Sequence, residues 1–159
     1  MKYTRFEDLP VWKDAIELAV RTFALTARPC FCGHARLRSQ LEAAVISISN
    51  NIAEGFERGT TPELLTFIYI SRGSAGETRS MYRFLDRAPG FEEVRSEIPD
   101  LINRAESISR QLRAWADSLQ NTEIRGTRYL TDQSRRIDKQ RREREEFLLE
   151  LEQIRNRKL

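Results

Sequence analysis

Apolar residues recur every three or four positions over most of this chain, a spacing that is typical of amphipathic helices. The first such segment begins near Pro10, whose fixed φ angle suits a first helical turn, and ends at about Thr26. Arg28, Pro29 and Gly33 then indicate a connection, because the residue before proline disfavours helix and glycine interrupts it. The predicted inward face of this helix consists of Trp12, Ala15, Ile16, Ala19, Val20 and Phe23.

Two further helices follow by the same criterion. The second has its apolar stripe between residues 37 and 52 and ends around Gly55 to Gly59; the stripe consists of Leu37, Leu41, Ala44, Ile48 and Ile52. The third begins where Thr61 serves as N-cap, Pro62 occupies the first turn and Glu63 lies near the positive helix end. It ends before Pro89-Gly90. Its predicted inward residues are Leu64, Phe67, Ile68, Ser71, Ala75, Thr78, Tyr82 and Leu85.

A fourth amphipathic segment completes the pattern. Ser96 is its predicted N-cap, and Pro99 is then tolerated in the first turn. Its inward residues are Ile98, Leu101, Ile102, Ala105, Ile108, Leu112, Trp115 and Leu119. Four amphipathic segments with short connections predict an all-α fold, an up-down antiparallel four-helix bundle over residues 1–120.

The pattern changes after Gln120. The composition of residues 121–159 predicts a polar linker followed by a charged C-terminal helical extension. The few apolar groups of the extension could form one short docking stripe. Basic and acidic residues are equal in number before this point, so the net charge of +3 lies entirely in the extension. Its basic segment could follow a nucleic-acid backbone, although stacking aromatics are absent from it; a mixed-charge helix or a mobile tail is the alternative. The basic residues concerned are Arg135, Arg136, Arg141 and Arg142.

The second helix carries a second, polar stripe, which we call the polar seam. It consists of Gln40, Ser47, Asn51, Glu54 and Arg58. Most of these groups are short and form hydrogen bonds, whereas an exposed helix face usually carries lysine and glutamate. They therefore favour a confined polar contact between helices. The alternative is a solvated face, since polar residues are mostly exposed in any globular protein.

The third helix contains small residues in its middle. Gly73 and Gly76 each cost about 1 kcal/mol relative to alanine in a helix, so some gain should offset them. We interpret them as sites of close helix contact, with Ser74 and Glu77 available to hydrogen-bond the polar seam. A local kink is the alternative interpretation, because glycine and serine pairs are a known cause of kinks.

These segments also resemble a known family. Residues 47–55 (SISNNIAEG) and 67–77 (FIYISRGSAGE) are similar to the two signature segments of the S23 ribosomal or 23S rRNA intervening-sequence protein family, and residues 6–15 (FEDLPVWKDA) resemble its opening. The resemblance implies a four-helix bundle that assembles as a ring of five and has no enzymatic activity. Relatives include an accessory protein of diversity-generating retroelements that binds a reverse transcriptase and RNA. The residues taken as assembly and packing positions are Gln40, Ser47, Asn51, Glu54, Gly55, Gly73, Ser74 and Glu77.

A stripe of arginines, which we call the arginine row, runs along the third helix. It consists of Arg72, Arg79, Arg83 and Arg87. Guanidinium groups suit phosphates and carboxylates equally well, so this row could bind RNA or an acidic partner. Nearby glutamates could instead pair with it and leave a solvated face.

The sequence offers little for catalysis or metal binding. Cys30, Cys32 and His34 are the only clustered metal-ligand types, and a structural zinc site needs four ligands with wider cysteine spacing. We therefore expect no metal and no cofactor, and we assign these three residues no role. His34 is the only histidine and lacks a nucleophile motif, a phosphate-binding glycine loop or a convincing carboxylate pair beside it, so we expect neither an enzyme nor a small-molecule substrate.

The expected location is the cytoplasm. The apolar stretches are interrupted by charge before they reach the length of a membrane span, and the first 15 residues are too charged for a signal peptide. Two closely spaced cysteines fit a reducing interior. The function that we predict is a scaffold for other molecules, built as a ring-like homo-oligomer. The alternative is an RNA-binding accessory factor for a ribonucleoprotein or a nucleic-acid enzyme such as a reverse transcriptase.

Overall fold

Four α-helices pack against one another in the part of the chain that the structure, a computed structural model, describes, namely residues 3 to 121. They are α1 (Pro10–Thr26), α2 (Ala35–Glu57), α3 (Thr61–Leu85) and α4 (Ile98–Gln120). Short 3-10 helices at Phe6–Asp8, Pro29–Phe31 and Glu92–Val94 precede α1, α2 and α4. The all-α four-helix prediction is confirmed. The extension predicted for residues 121–159 lies outside the described residues, except for its first residue.

Side-chain contacts show that neighbouring helices run in opposite directions. Between α1 and α4, Gln111 Nε2 donates to Asp14 Oδ2 at 2.7 Å, whereas Arg21 Nη1 contacts Asp100 Oδ2 at 2.9 Å, so the residue number falls on one helix as it rises on the other. The pairs Ser47 with Ser74 and Gly55 with Phe67 show the same for α2 and α3. The pairs Tyr69 with Gln120 and Arg79 with Glu106 show it for α3 and α4.

The core contains a polar contact that reaches across the bundle. Tyr82 of α3 is fully buried, and its phenol oxygen lies 2.5 Å from Thr22 Oγ1 of α1. Because Thr22 donates its proton to the Leu18 carbonyl at 2.6 Å, Tyr82 is the donor in the other bond. Burial raises the pKa of Tyr82 to about 12, so the phenol stays neutral and both hydroxyls are satisfied.

The buried face of α1 differs from the one that the sequence predicts. Ile16, Val20 and Phe23 are exposed rather than buried, and Trp12 is half-buried. The residues that α1 does bury are Val11, Ala15, Leu18, Ala19, Thr22, Leu25 and Thr26. The helix carries apolar residues on two sides, and the two threonines, which looked polar in the sequence, face inward because each hydroxyl has a partner.

Two predicted helix caps are also wrong. Thr60, not Thr61, is the N-cap of α3, where its Oγ1 accepts from the Glu63 backbone N–H at 3.4 Å and donates to the Glu63 carboxylate at 2.5 Å. Glu97 occupies the N-cap of α4 in place of Ser96, without a side-chain capping bond. The preceding Gly59 has a φ of 79°, which only glycine adopts readily, and the capping residue Thr60 follows it directly.

Candidate functional site

The polar seam lies where α2 meets α3. Ser47 Oγ is 3.0 Å from Ser74 Oγ, and Asn51 Nδ2 donates to the Ser47 carbonyl at 2.6 Å and to its hydroxyl at 2.9 Å. Deeper in the bundle, Ser71 Oγ donates to the Ile48 carbonyl at 2.8 Å. The structure therefore brings Ser47, Asn51 and Ser74 into one half-buried hydrogen-bonded cluster between the two helices.

Three of the other assembly and packing positions are exposed around this cluster. Gln40 and Glu54 lie on α2 and Glu77 lies on α3. Glu54 accepts from Arg58 Nη2 at 2.6 Å, and the Arg58 guanidinium lies 5.3 Å from the centre of the Phe67 ring. Gln40 and Glu77 are thus available to a partner, whereas Glu54, the serines and Asn51 are already engaged within the chain.

Close helix contact occurs at a different glycine from the one expected. A Cβ atom added to Gly55 would lie 2.6 Å from Phe67 Cβ, so α2 and α3 are in close contact there. At Gly73 and Gly76 no other part of the described chain comes within 4 Å of such an atom. The close contact predicted for these two is therefore not made within residues 3 to 121, because both lie on sides of α3 that face away from α2.

An exposed apolar surface, which we call the apolar face, lies along α1 and α2. It consists of Ile16, Val20, Phe23 and Ile46. Thr26 Oγ1 donates to Glu42 Oε1 at 2.5 Å and sets the register of the two helices. Phe23 precedes Thr26 by about one turn and Ile46 follows Glu42 by about one turn, so in an antiparallel pair the two apolar residues lie at the same height. Val20 is the most exposed member, at 61%.

The arginine row lies on the side of α3 that faces α4. Arg79 Nη1 lies 3.9 Å from Glu106 of α4, which also has Arg110 Nη1 at 3.6 Å, so two guanidinium groups share one carboxylate. No carboxylate of residues 3 to 121 lies within salt-bridge distance of the other three members of the row. Those members are Arg72, Arg83 and Arg87. The basic residues predicted at 135, 136, 141 and 142 lie outside the described residues.

A family model of the 23S rRNA-intervening sequence proteins matches residues 7–114. The chain belongs to the 23S rRNA-intervening sequence protein family. The match covers the apolar face, the polar seam and the arginine row. No curated protein matches the chain. Membership in this family confirms the resemblance noted in the sequence, and it agrees with the four-helix fold.

Among residues 3 to 121 of this family member, most charged groups are engaged in ion pairs. Asp100 accepts from Arg104 and contacts Arg21, and the Arg104 hydrogen bond holds the pKa of Asp100 below its usual value, against the opposing effect of burial. Burial acts to raise the pKa of Glu42, but hydrogen bonds from Thr26 and Arg38 outweigh it and leave that pKa lowered. Both carboxylates are thus kept ionised, which is the opposite of what a general acid at neutral pH requires.

The loop before α2 holds the cysteines and the histidine. Burial raises the pKa of the half-buried Cys30 thiol, Cys32 is exposed, and the His34 ring packs 5.2 Å from the Phe91 ring. Among residues 3 to 121, no three metal-ligating side chains come together, and no helix is long and apolar enough to cross a membrane.

Sequence reasoning missed the apolar face and two exposed aromatic residues, Tyr69 and Phe84. The signal for the apolar face was present, because α1 has more apolar positions than one buried stripe can hold. Tyr69 and Phe84 gave a weaker signal: both lie outside the inward stripe of α3, and isolated exposed aromatics are common in soluble proteins.

Proposed function

We propose that this member of the 23S rRNA-intervening sequence protein family is a non-enzymatic scaffold that assembles with copies of itself. The observation that carries the proposal is the apolar face, four large aliphatic or aromatic side chains exposed together on α1 and α2. A clustered apolar surface on a soluble protein marks an interaction site, because its exposure to water is unfavourable and burial against a partner removes that cost.

The assembly that we propose is a ring-like homo-oligomer, with five subunits as the family resemblance implies. A closed ring needs a heterologous interface, in which two different surfaces of each subunit meet. The apolar face supplies one surface. The exposed residues at the outer edge of α2 and α3 offer the other, since Ile70 adds an exposed apolar group to the polar Gln40 and Glu77 there.

A charge placed on the apolar face tests this proposal. We expect Val20→Glu to convert the wild-type oligomer into monomer in light scattering at micromolar concentration, because a buried unpaired carboxylate is strongly unfavourable. Val20 is largely exposed in the subunit, so the substitution should leave its fold intact, as circular dichroism would show. Ala114→Glu is the matched control, because Ala114 is an exposed alanine on the outside of α4.

The oligomeric mass of the wild-type protein is the first measurement. A monomer at micromolar concentration would exclude the self-associating scaffold. A Val20→Glu variant with the wild-type oligomeric mass would exclude the apolar face as the interface and leave self-association through another surface.

The second candidate function is an RNA-binding accessory factor for a ribonucleoprotein or a nucleic-acid enzyme such as a reverse transcriptase. The observation that favours it is the arginine row, three members of which lack a carboxylate partner among residues 3 to 121. Unpaired guanidinium groups are available to phosphates. An electrophoretic shift with structured RNA tests this candidate, and an absence of binding near physiological salt would remove it.

A further inference from the structure

The arginine row is accompanied by exposed aromatic side chains. Tyr69 and Phe84 lie on the outer side of α3, with 44% and 55% of their surfaces exposed. Tyr69, Arg72, Gly76, Arg83 and Arg87 are spaced by three, four or seven residues, so they follow one stripe down the helix and its C-terminal end. Phe84 follows Arg83 in the sequence and lies about 60° around the helix from Tyr69 and Arg87. Arginines and exposed aromatics therefore share the outer part of α3.

The Tyr69 ring is held in place rather than free. Gln120 Nε2 donates to its phenol oxygen at 2.9 Å, which fixes the ring where α3 meets the end of α4. A ring that is both exposed and positioned loses little conformational freedom when a flat partner stacks on it. The hydrogen bond therefore favours a role as a stacking surface.

Two glycines lie on the outer side of α3 between the two aromatics. No other part of residues 3 to 121 comes within 4 Å of a Cβ added at Gly73 or Gly76. These glycines leave a shallow stretch of helix between Tyr69 and Phe84, which are separated by ~22 Å along the axis at the usual helical rise. The exposed side chains of Glu77 and Ser80 also lie in this interval, so an extended chain would pass beside them.

We propose that the outer side of α3 binds single-stranded nucleic acid, with bases stacked on Tyr69 and Phe84 and phosphates held by Arg72, Arg83 and Arg87. This inference rests on the second candidate function and narrows it to a class of ligand. Aromatic stacking requires unstacked bases, which a single strand offers and a duplex does not. A surface that used arginines alone would bind both forms.

Fluorescence anisotropy with the full chain separates these alternatives. The probes are a labelled 15-nucleotide uridine RNA and a labelled 15-base-pair RNA duplex. We expect Tyr69→Ala and Phe84→Ala each to weaken binding of the single strand by roughly 5-fold or more, which is the usual effect of losing one base–aromatic stack, with much smaller changes for the duplex. Tyr69→Phe should retain most of the affinity, because it keeps the ring.

Asn103→Ala is the control. Asn103 is exposed on the outside of α4 and belongs neither to the proposed ring surfaces nor to the arginine row. Its truncation should leave binding of the uridine RNA unchanged if the site is where we place it. Circular dichroism of every variant verifies that the helices are retained.

Three results would overturn the proposal, and they differ in whether they also exclude the RNA-binding candidate function. Equal binding of strand and duplex, unaffected by Tyr69→Ala and Phe84→Ala, would exclude the stacking site but keep the RNA-binding candidate. An absence of binding to either RNA near physiological salt would exclude both. Tighter binding of a labelled polyglutamate peptide than of the uridine RNA would assign the arginine row to an acidic protein partner.

Discussion

The α1/α2 side and the α3/α4 side of the bundle expose different chemistry. The α1/α2 side carries the apolar face, and the charged neighbours Arg38 and Glu42 pair with each other at 2.8 Å. The α3/α4 side carries the arginine row, three members of which have no carboxylate of residues 3 to 121 within salt-bridge distance, together with the exposed aromatics Tyr69 and Phe84. The comparison shows that a bundle of this kind needs only one stripe of each helix for its core, so the other stripes are free to serve different partners.

The two sides are also expected to respond differently to their surroundings. Association through apolar surface depends on the removal of that surface from water and changes little with salt. Binding of phosphates by guanidinium groups releases counterions and weakens steeply with salt. Mutations and changes of salt or pH can therefore test whether self-association and nucleic-acid binding use different sides of the bundle.

The largest effect is expected from Gly55→Ala, which alters the packing between the two sides. The new Cβ would lie 2.6 Å from Phe67 Cβ and 3.3 Å from Leu64 Cδ1, and Phe67 Cβ is fixed to the α3 backbone, so the helices must move apart. We expect a loss of about 1–2 kcal/mol in the free energy of unfolding, after the gain in helix propensity. Urea unfolding followed by circular dichroism measures it.

Because Gly55→Ala shifts α3 against α2, it should weaken both self-association and nucleic-acid binding. The control for stability is Gly73→Ala, which adds the same methyl group where no other part of residues 3 to 121 lies within 4 Å. Wild-type stability in Gly55→Ala would mean that α2 and α3 are not in close contact at this point.

The second prediction compares how the RNA affinity and the oligomeric mass depend on salt. If three arginines each neutralise one phosphate of a single strand, the affinity should fall roughly 20-fold between 50 and 200 mM NaCl. Over the same range the oligomeric mass should be unchanged. Anisotropy and light scattering on one preparation give both values. A salt-independent affinity, or an oligomer that dissociates with salt, would contradict the assignment of the two sides.

The third prediction concerns the open glycines of α3. Gly73→Ala and Gly76→Ala should each raise the free energy of unfolding by about 1 kcal/mol, because alanine favours a helix and the added methyl meets nothing within the described chain. Chemical denaturation of both variants measures this gain. A loss of stability instead would show that another chain or segment covers these glycines, and the close contact inferred from the sequence would then be made outside residues 3 to 121.

Sequence periodicity predicted the fold well because each helix must bury one continuous stripe. The bounds of α1 were right, as were the eight inward positions of α3 apart from the half-buried Phe67. Periodicity could not choose between the two apolar sides of α1, since that choice depends on hydroxyl partners such as Glu42 that come from another helix. The same limit applied to the glycines: their small size was evident, but which of them touches a neighbour depends on the tertiary packing.

The smallest effect is expected from acid, at the end of the apolar face where Glu42 joins α1 to α2. Its carboxylate accepts from Thr26 and Arg38, and these bonds outweigh burial and place its pKa below the ordinary value of 4.5. A carboxylate with a lowered pKa in the folded state binds fewer protons there than in the unfolded chain, so its contribution is complete above pH 4.5 and is lost as the pH falls through the lowered value.

Glu42→Gln isolates this contribution, because the amide keeps an acceptor for Thr26 but carries no charge. We expect the variant to be less stable than wild type by about 1 kcal/mol or less at pH 7, and we expect the difference to disappear at a pH well below the pKa. Paired urea titrations at the two pH values and at one protein concentration cancel the titration of all other carboxylates. A stability difference of equal size at both pH values would mean that the charge of Glu42 does not contribute to the contact between α1 and α2. Acid would then leave this contact intact.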